Sequence, residues 1–251
     1  MGITATAVDV DVARAPIVEA SGLAFDRSGL WIHNDSGDGP HLWWWHPGVA
    51  PVEWRLPGAP ARDWEDICIG TAPDRRTPSL WIADTGSARN GQPMTMLACP
   101  LPPDPAAGGT LAWTAYPFTA KGLIDCEAVF ASWTSGLYAV SKRARSGRAD
   151  VWHLPIAGDI IRPRLVATIA LELATAADLS PDGTRLAVRN YDRVLIWDRR
   201  PGESTVSMLL RPADHELVDH AGSESIAWES DSAWWTIPEG VGSHLRRWTL
   251  T

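Results

Sequence analysis

The chain has few lysines and few cysteines. Of its 22 basic residues only Lys121 and Lys142 are lysines, and the net charge at pH 7 is −8. A nucleic-acid surface needs a basic stripe, so this charge balance argues against a nucleic-acid partner. The three cysteines, Cys68, Cys99 and Cys126, are an odd number without metal-binding spacing, and we expect free, buried thiols.

Long apolar runs and helical periodicity are also missing. No run of about 18 apolar residues occurs, so we expect no membrane span. The N-terminus lacks the basic start and apolar stretch of a signal peptide, and a cytoplasmic location is expected. Apolar residues seldom recur at the spacing of an amphipathic helix. The remaining class is a mostly β globular protein, which we expect to be a monomer.

Tryptophan is abundant although tyrosine and phenylalanine are scarce, with 15 Trp against three Tyr and three Phe. A Trp side chain buries a large surface and suits sheets packed face to face, where rings interleave between the layers. Short β-rich runs fill most of the chain, and Gly, Pro, Asp and Ser separate them. The composition therefore favours several small, closely packed sheets.

Five similar segments repeat along the chain, and each has two β-rich runs around a turn. Their first runs begin with Glu19-Ala-Ser-Gly-Leu, Asp63-Trp-Glu-Asp-Ile, Asp125-Cys-Glu-Ala-Val, Ala176-Ala-Asp-Leu and Ser223-Glu-Ser-Ile. A third run follows every hairpin, and a fourth run follows most of them. Four-stranded antiparallel units at this spacing are typical of propeller blades.

The repeats predict an all-β fold, a five-bladed β-propeller that forms one domain over residues 1–251. The predicted blades are 16–60, 61–120, 121–172, 173–212 and 213–251, and the outer strand of the fourth blade is placed at residues 205–210. The last blade ends after three strands, whereas a spare strand at residues 3–10 precedes the first blade. We expect that strand to complete the last blade and close the ring, which removes a free sheet edge. An up-and-down barrel or a sandwich is the alternative.

The hairpin geometry predicts a common site. In an antiparallel pair the first strand begins where the second strand ends, so these positions from all blades gather on one face around the axis. Glutamate occupies one such slot in three repeats, as Glu65, Glu127 and Glu224. The sequence therefore predicts an acidic mouth at one end of the central channel.

Crowded carboxylates raise one another's pKa unless positive charge lies between them. A hard cation such as Ca²⁺ would relieve the crowding, because it binds carboxylate and amide oxygens. Ion pairs with Lys142 and Arg189, at equivalent blade positions, are a second solution. Carboxyls that stay protonated for acid–base work are a third. Glutamates that bond backbone N–H groups and join neighbouring blades are the structural alternative.

The candidate residues follow from these positions. The catalytic candidates are Glu65, Glu127, Lys142 and Arg189. The substrate-binding candidates are His33, Asp35, Asp66, Glu224 and Glu239. The partner is expected to be a small molecule, with no organic cofactor. The segment 214–220, with His215 and His220, is interpreted as a loop on the same face that could act as a lid.

These motifs resemble those of bacterial five- or six-bladed propeller proteins of largely unassigned function, whose members are often secreted. Blade starts of the E-x-S-G-L, D-W-E-D-I and D-x-E-A-L type correspond here to Glu19-Ala-Ser-Gly-Leu, Asp63-Trp-Glu-Asp-Ile and Asp125-Cys-Glu-Ala-Val. Second-strand ends of the H-N-D-S-G, V-x-K-R and L-R-x-Y type correspond to His33-Asn-Asp-Ser-Gly, Val140-Ser-Lys-Arg and Val188-Arg-Asn-Tyr. The resemblance covers nearly the whole chain and implies the propeller fold.

More distantly, the chain is similar to the calcium-dependent propeller hydrolases of the gluconolactonase and organophosphatase group. That resemblance implies a Ca²⁺ on the axis, with ligands drawn from Glu19, Asn34, Asp84, Asp178 and Asn190. The chain departs from the group by its extra glutamates, its two cations at the axis and its five blades. The implied function is hydrolysis of a lactone or ester. An acid–base isomerase or cyclase in a biosynthetic pathway, or a propeller that only binds a ligand or a protein, is the alternative.

Overall fold

The computed structural model describes residues 5–10, 17–35, 37–86, 92–122, 125–142, 147–219, 222–240 and 244–250. The strands of the first half are β1 (Ala5–Val10), β2 (Ala20–Phe25), β3 (Leu30–Asn34), β4 (His41–Trp45), β5 (Val52–Arg55), β6 (Trp64–Thr71), β7 (Pro78–Asp84), β8 (Met94–Pro100), β9 (Gly109–Thr110) and β10 (Thr114–Phe118), with a 3-10 helix at Pro105–Ala107. Those of the second half are β11 (Cys126–Ser132), β12 (Gly136–Ser141), β13 (Ala149–Leu154), β14 (Ile156–Ala157), β15 (Ile160–Ile161), β16 (Arg164–Ile169), β17 (Ala176–Leu179), β18 (Arg185–Arg189), β19 (Arg193–Asp198), β20 (His215–Val218), β21 (Ala227–Trp228), β22 (Ala233–Thr236) and β23 (Leu245–Leu250), with helix α1 at Thr205–Leu209.

Five small sheets, antiparallel apart from one short added strand, form the blades of a five-bladed propeller. Their strand orders are β2-β3-β4-β5-β9, β6-β7-β8-β10, β11-β12-β13-β16, β17-β18-β19-β20 and β21-β22-β23-β1. The innermost strands β2, β6, β11, β17 and β21 contact one another in turn and return to β2, which makes the ring. The predicted fold is therefore confirmed. In the first blade β9 adds a short parallel strand beside β5, and β14 and β15 form a separate two-stranded hairpin.

The predicted closure of the ring is also confirmed. Strand β1 pairs antiparallel with β23 from Ala5 opposite Leu250 to Val10 opposite Leu245. The beginning and the end of the chain are therefore hydrogen-bonded within one blade. This pairing covers the outer edge of β23, which would otherwise be open to another chain.

The outer strand of the fourth blade differs from its prediction. Residues 205–210 contain helix α1, whose N-cap Ser204 accepts a hydrogen bond from the backbone N–H of Ser207. The buried residues of α1 are Thr205, Met208 and Leu209, and this is helical spacing. A short apolar run is compatible with either a helix or a strand, and here the N-cap residue Ser204 favours the helix. The outer strand is β20, so the fourth blade extends beyond the predicted limit at residue 212.

The segment interpreted as a lid is for the most part this outer strand. His215 begins β20, lies opposite Ile196 and contacts the Asp198 carboxylate at 2.6 Å. Asp198 ends β19, at the end of the blade remote from the acidic positions. His215 is thus not beside the predicted site, and His220 lies outside the described residues.

Hydrophobic layers, each with at least one tryptophan, fill the spaces between the blades. Each of the five buried hydrophobic clusters joins two neighbouring blades, which is why the rings interleave as the composition predicted. Trp31, Trp81, Trp197, Trp228 and Trp234 are among the largest fully buried side chains. The three cysteines are free and buried, as expected. Within the described ranges no helix is both long and apolar enough to cross a membrane.

Candidate functional site

The site begins with a backbone irregularity at the start of the innermost strands. In three blades the pairing register shifts by one residue, between Ala20 and Gly22, between Trp64 and Asp66, and between Cys126 and Ala128. The extra residues are Ser21, Glu65 and Glu127. A β-bulge breaks the alternation of side chains and redirects the extra one. The two glutamates are therefore presented outside the regular inward and outward alternation.

The fifth blade has the same one-residue shift of the pairing register, and the fourth blade does not. In the fifth blade Ser223 lies opposite Pro238 and Ala227 opposite Trp235, which requires one extra residue in the segment that holds Glu224. In the fourth blade Ala176 lies opposite Arg189 with no shift. Four of the five blades thus place a bulge at the same end of the channel.

Glu65 lies in a group of carboxylates drawn from two blades. One carboxylate oxygen from each of Asp35, Asp63 and Glu65 lies within 4.8 Å of the others. Burial, together with the like charges of Glu127, Asp35 and Asp63, raises the pKa of Glu65 to about 10. At neutral pH the Glu65 carboxyl therefore holds a proton, unless a cation joins the group.

Gly86 leaves the space that this carboxyl occupies. A Cβ at position 86 would overlap Glu65 Oε1 and would contact the Asp63 carboxylate at 2.7 Å. The Gly86 backbone N–H donates to the Asp63 carbonyl at 3.3 Å. The absence of a side chain at this position lets the backbone at Gly86 approach both acids.

Glu127 is paired with the one lysine of the mouth. Lys142 Nζ lies 2.5 Å from Glu127 Oε2, and both side chains are largely buried. Burial raises the pKa of Glu127 and Lys142 lowers it, and the result is a pKa of about 7. Burial opposes the charge of Lys142, but the hydrogen bond and charge of Glu127 outweigh it and raise the lysine pKa. The pair can therefore hold or release a proton on Glu127 near neutral pH.

Tyr191 extends this pair to the next blades, although sequence reasoning had given it no role. Lys142 Nζ lies 5.7 Å from the centre of the Tyr191 ring, and Lys142 and Glu224 both interact with the phenol. Burial raises the pKa of Tyr191, so the phenol stays protonated. The motif Val188-Arg-Asn-Tyr contained this residue, but only the fold brings it beside Lys142.

The fifth blade completes the ring of acids. Burial raises the pKa of Glu239 to about 7, with further contributions from Glu224, Asp35 and Glu19. Glu19 lies at the same mouth, where its carbonyl accepts the Asp35 N–H at 2.8 Å. We call the following set the acid ring: Glu19, Asp35, Asp63, Glu65, Asp125, Glu127, Glu224 and Glu239. The predicted acidic mouth therefore forms.

Arg189 is not available at this mouth, in contrast to its predicted catalytic role. Its side chain is fully buried, and Nη1 pairs with Asp219 Oδ2 at 3.2 Å. The guanidinium also donates to the carbonyls of Asn190 and Ser225. Arg189 therefore joins the fourth blade to the fifth.

Three of the predicted metal ligands use their oxygens to fix the backbone. Asn34 Oδ1 accepts from the N–H groups of Val18 and Glu19. Asp84 Oδ1 accepts from Arg62 and Asp63 in the equivalent way, and Asp84 Oδ2 binds the Arg62 guanidinium at 2.8 Å. Asn190 Oδ1 accepts from Asp192 and Arg193. These residues shape the loops of the mouth, and the oxygens named here accept hydrogen bonds from backbone N–H groups or from the Arg62 guanidinium.

Asp66 and Asp178, predicted as substrate and metal ligands, lie inside the channel. Asp66 accepts from the N–H groups of Ile67 and Val129 at 2.8 Å and of Ala177 at 3.4 Å. Asp178 accepts from Leu179 at 2.9 Å and from Trp228 at 2.7 Å. Innermost strands are sheet edges whose N–H groups face the channel, and these carboxylates satisfy some of them.

His33 is buried and serves packing, although it was predicted to bind substrate. Its Nδ1 lies 2.9 Å from the carbonyl of Asn34, and its ring meets Trp64 edge to face. Burial lowers the pKa of His33, so the ring is neutral. The missing side chain of Gly22 makes room for the ring.

The comparisons with known proteins support the fold alone. No protein-family model and no curated protein sequence matches the chain. The PQQ-bound aldose sugar dehydrogenase of Streptomyces coelicolor is 10% identical, with a TM-score of 0.58 over 99% of both chains. The apo form of the soluble aldose sugar dehydrogenase of Escherichia coli is 11% identical, with a TM-score of 0.53 over 98% of this chain and 99% of that chain.

A chain of a nidogen–laminin complex is also similar, at 12% identity and a TM-score of 0.51, over 89% of this chain and 73% of that chain. Enzymes and a protein–protein complex thus share this architecture. The fold and the site together define the class: a five-bladed propeller with a ring of interacting acids at one mouth. The resemblances to the unassigned bacterial propellers and to the calcium-dependent hydrolases rest on sequence motifs alone.

Proposed function

We propose that this chain is an acid–base enzyme whose active site is the acid ring, and that it hydrolyses an uncharged lactone or ester. The supporting observation is the pair of bulge glutamates, because the pKa of Glu65 is raised to about 10 and that of Glu127 to about 7. Two interacting carboxyls with separated pKa values supply an acid and a base at the same pH.

Each residue has a role in this reaction. The Glu127 carboxylate takes a proton from water while the water oxygen bonds to the carbonyl carbon. The protonated Glu65 and the Lys142 ammonium donate hydrogen bonds to the carbonyl oxygen as it gains negative charge. The bond from carbon to the leaving oxygen then breaks, and that oxygen receives the proton held by Glu127. The products are the acid and the alcohol, or the open hydroxy acid of a lactone.

The charge of the mouth limits the substrate class. Among the residues that the structure describes, the cations beside the mouth pair with carboxylates, as Lys142 with Glu127, Arg189 with Asp219 and Arg62 with Asp84. An anionic substrate would meet excess negative charge, so a neutral one is favoured. The Streptomyces coelicolor structure has PQQ bound, but at 10% identity it supports the fold alone, and no step of the proposed reaction uses that cofactor.

A cation site is the second candidate, and the group of Asp35, Asp63 and Glu65 favours it. Three carboxylate oxygens within 4.8 Å of one another suit Ca²⁺, which prefers oxygen ligands. A bound cation would supply Lewis acidity and would hold Glu65 ionised. The cation site and the acid role of Glu65 are therefore alternatives for one residue.

Turnover of neutral lactones and esters tests the proposal. We expect Glu127→Gln to lower kcat by about 10²-fold or more, because it removes the base. Glu65→Gln keeps a hydrogen-bond donor and is expected to lower kcat less. Glu216→Gln, the same change on an exposed outer strand, is the matched control. No turnover of any lactone or ester, or full activity of Glu127→Gln, would exclude the hydrolase. Conversion without uptake of water would favour the isomerase or cyclase.

A calcium titration separates the two candidates. If Ca²⁺ binds the native state, the melting temperature rises with its concentration, and Asp35→Asn or Asp63→Asn abolishes the rise. If Glu65 is a general acid, Ca²⁺ leaves turnover unchanged or inhibits it. Stimulation of turnover by Ca²⁺ would replace the metal-free mechanism.

A further inference from the structure

A cavity of about 500 Å³ lies at the opposite mouth of the channel, where the innermost strands end. All five blades contribute to its wall, through Phe25, Ile69, Ala131, Leu179 and Trp228. The strand pairing places these five residues at one level, because each lies opposite a large apolar residue near the start of its second strand: Leu30, Leu80, Leu137, Leu186 and Trp234. The cavity is therefore a feature of the whole ring and lies far from the acid ring.

The wall of this cavity is mostly apolar and contains two acids, Asp178 and Asp26. Asp178 lines it, and each of its oxygens accepts one backbone hydrogen bond, from Leu179 and from Trp228. An ionised carboxylate has about four acceptor positions, so Asp178 can accept further donors from the cavity. The other acid of the wall, Asp26, already accepts from Ser28, Gly29 and Trp31.

The rim carries an aromatic side chain. Trp133 follows β11 and lines the same cavity, and 46% of its surface is exposed although most tryptophans of the chain are buried. Arg27 also lies on the rim. An exposed tryptophan above an apolar chamber offers a flat surface for an aromatic ring or a cation.

We propose that this cavity binds a small aromatic amine, whose ammonium group donates to Asp178 and whose ring packs against the apolar wall and Trp133. The volume lies within the range of about 300–1,000 Å³ that is usual for small-molecule sites. A ligand without a donor would leave the remaining acceptor positions of Asp178 unused, and an anion would meet the like charge of this carboxylate. Burial raises the pKa of Asp178 to about 7, so a cationic ligand would also stabilise its ionised form.

Calorimetric titration with 2-phenylethylamine, 2-phenylethanol and phenylacetate tests this inference. We expect the amine to bind and the other two to bind weakly or not at all. Asp178→Asn should weaken amine binding about tenfold or more, because it removes a hydrogen bond between charged groups. Trp133→Ala, an exposed position that should not affect folding, is expected to weaken it about threefold.

Two controls locate the binding. Glu239→Gln removes an acid of the other mouth and Leu165→Ala removes an exposed side chain of an outer strand, and both should leave amine binding unchanged. In protein labelled with 5-fluorotryptophan, the ¹⁹F signal that is missing from Trp133→Phe should shift on titration. This readout holds even if Asp178→Asn fails to fold.

Several outcomes would overturn the inference. These are the absence of saturable amine binding, equal affinity for the alcohol, or a Trp133 signal that does not move. Amine binding that Glu239→Gln abolishes and Trp133→Ala leaves intact would assign the amine to the acid ring instead. Because the two mouths are tested by different variants, failure here leaves the proposed hydrolase untouched.

Discussion

Glu65 and Asp66 are neighbours in sequence, both buried, yet they lie in opposite surroundings. Asp66 points into the channel and accepts hydrogen bonds from three backbone N–H groups of three blades. Glu65 occupies the bulge and lies beside Asp35, Asp63 and Glu127. Burial raises the pKa of both carboxyls.

The comparison separates two uses of a buried acid. A carboxylate surrounded by donors stabilises the ring of blades, whereas one surrounded by other acids stores unfavourable electrostatic energy that only a ligand, a proton or a cation relieves. A raised pKa does not distinguish the two uses, since burial dominates in both. The partners of the oxygen atoms do, and the predictions below test that distinction.

The largest expected loss of stability comes from Asp66, the acid inside the channel. Asp66→Ala should lower the free energy of unfolding by about 3 kcal/mol or more, because it leaves the N–H groups of Ile67, Val129 and Ala177 without their acceptor. Urea denaturation measures this. The exposed control Asp159→Ala should change stability by about 0.5 kcal/mol or less. A loss below about 1 kcal/mol for Asp66→Ala would mean that water replaces the carboxylate easily.

The second prediction concerns pH. The folded-state pKa values of Glu65, Glu127 and Asp178 are raised to about 10, 7 and 7, so the folded state binds more protons than the unfolded state above about pH 4.5. Stability therefore falls as pH rises through this range, and it should increase by about 1–3 kcal/mol from pH 8 to pH 6.5. Below that window protonation of His33 in the unfolded state opposes the trend, since burial lowers the folded pKa of His33.

Urea denaturation at several pH values measures this slope. Carboxyls whose pKa is lowered, such as Asp74 and Glu203 at about 2, act only in more acidic solution and do not interfere. A stability that is flat or rises from pH 6.5 to pH 8 would show that the acids are relieved by another means. A bound cation would be the first such means to test.

The third prediction contrasts one amide substitution at the two neighbours. At pH 8 Glu65→Gln should stabilise the fold, by up to about 5 kcal/mol, because it removes a group that is ionised only in the unfolded state. Asp66→Asn should destabilise it, since one oxygen becomes an NH₂ group that faces backbone N–H donors. The same denaturation experiment gives both values. If both substitutions changed the stability in the same direction, the distinction between Glu65 in the acid ring and Asp66 inside the channel would be lost.

Sequence reasoning could predict the ring because the repeat has a regular period. Hairpin similarity fixes the number of blades, the spare first strand fixes the closure, and antiparallel pairing fixes which residues share a mouth. The helix α1 was missed because five residues such as Thr205–Leu209 are too few to establish a period.

The details of the site could not be read in the same way. A bulge adds one residue that the sequence does not reveal, so Glu65 and Asp66 were both predicted at the same mouth, as a catalytic and a substrate-binding residue, although their surroundings differ. The interior role of Asp178 depends on the distance to a strand 50 residues later. A role for Tyr191 can be inferred only from the fold, which places Lys142 and Glu224 beside it.

The smallest expected effect on stability comes from Gly86→Ala, and it addresses the acid ring most directly. The added Cβ would overlap the ends of the Glu65 and Asp63 side chains, which can move at small cost. We expect a loss of about 1 kcal/mol or less in unfolding free energy. Displacement of Glu65 should nevertheless lower lactone or ester turnover by about tenfold or more, because catalytic groups tolerate little misplacement.

A double-mutant cycle assigns the cause of that effect. In a Glu65→Ala background the overlap is gone, so the addition of Gly86→Ala should have almost no further effect on stability. Equal destabilisation in both backgrounds would place the strain in the backbone of the loop after β7. In that case Gly86 would be a turn residue, and the close approach of Glu65 to this loop would be incidental to how the acid ring is held.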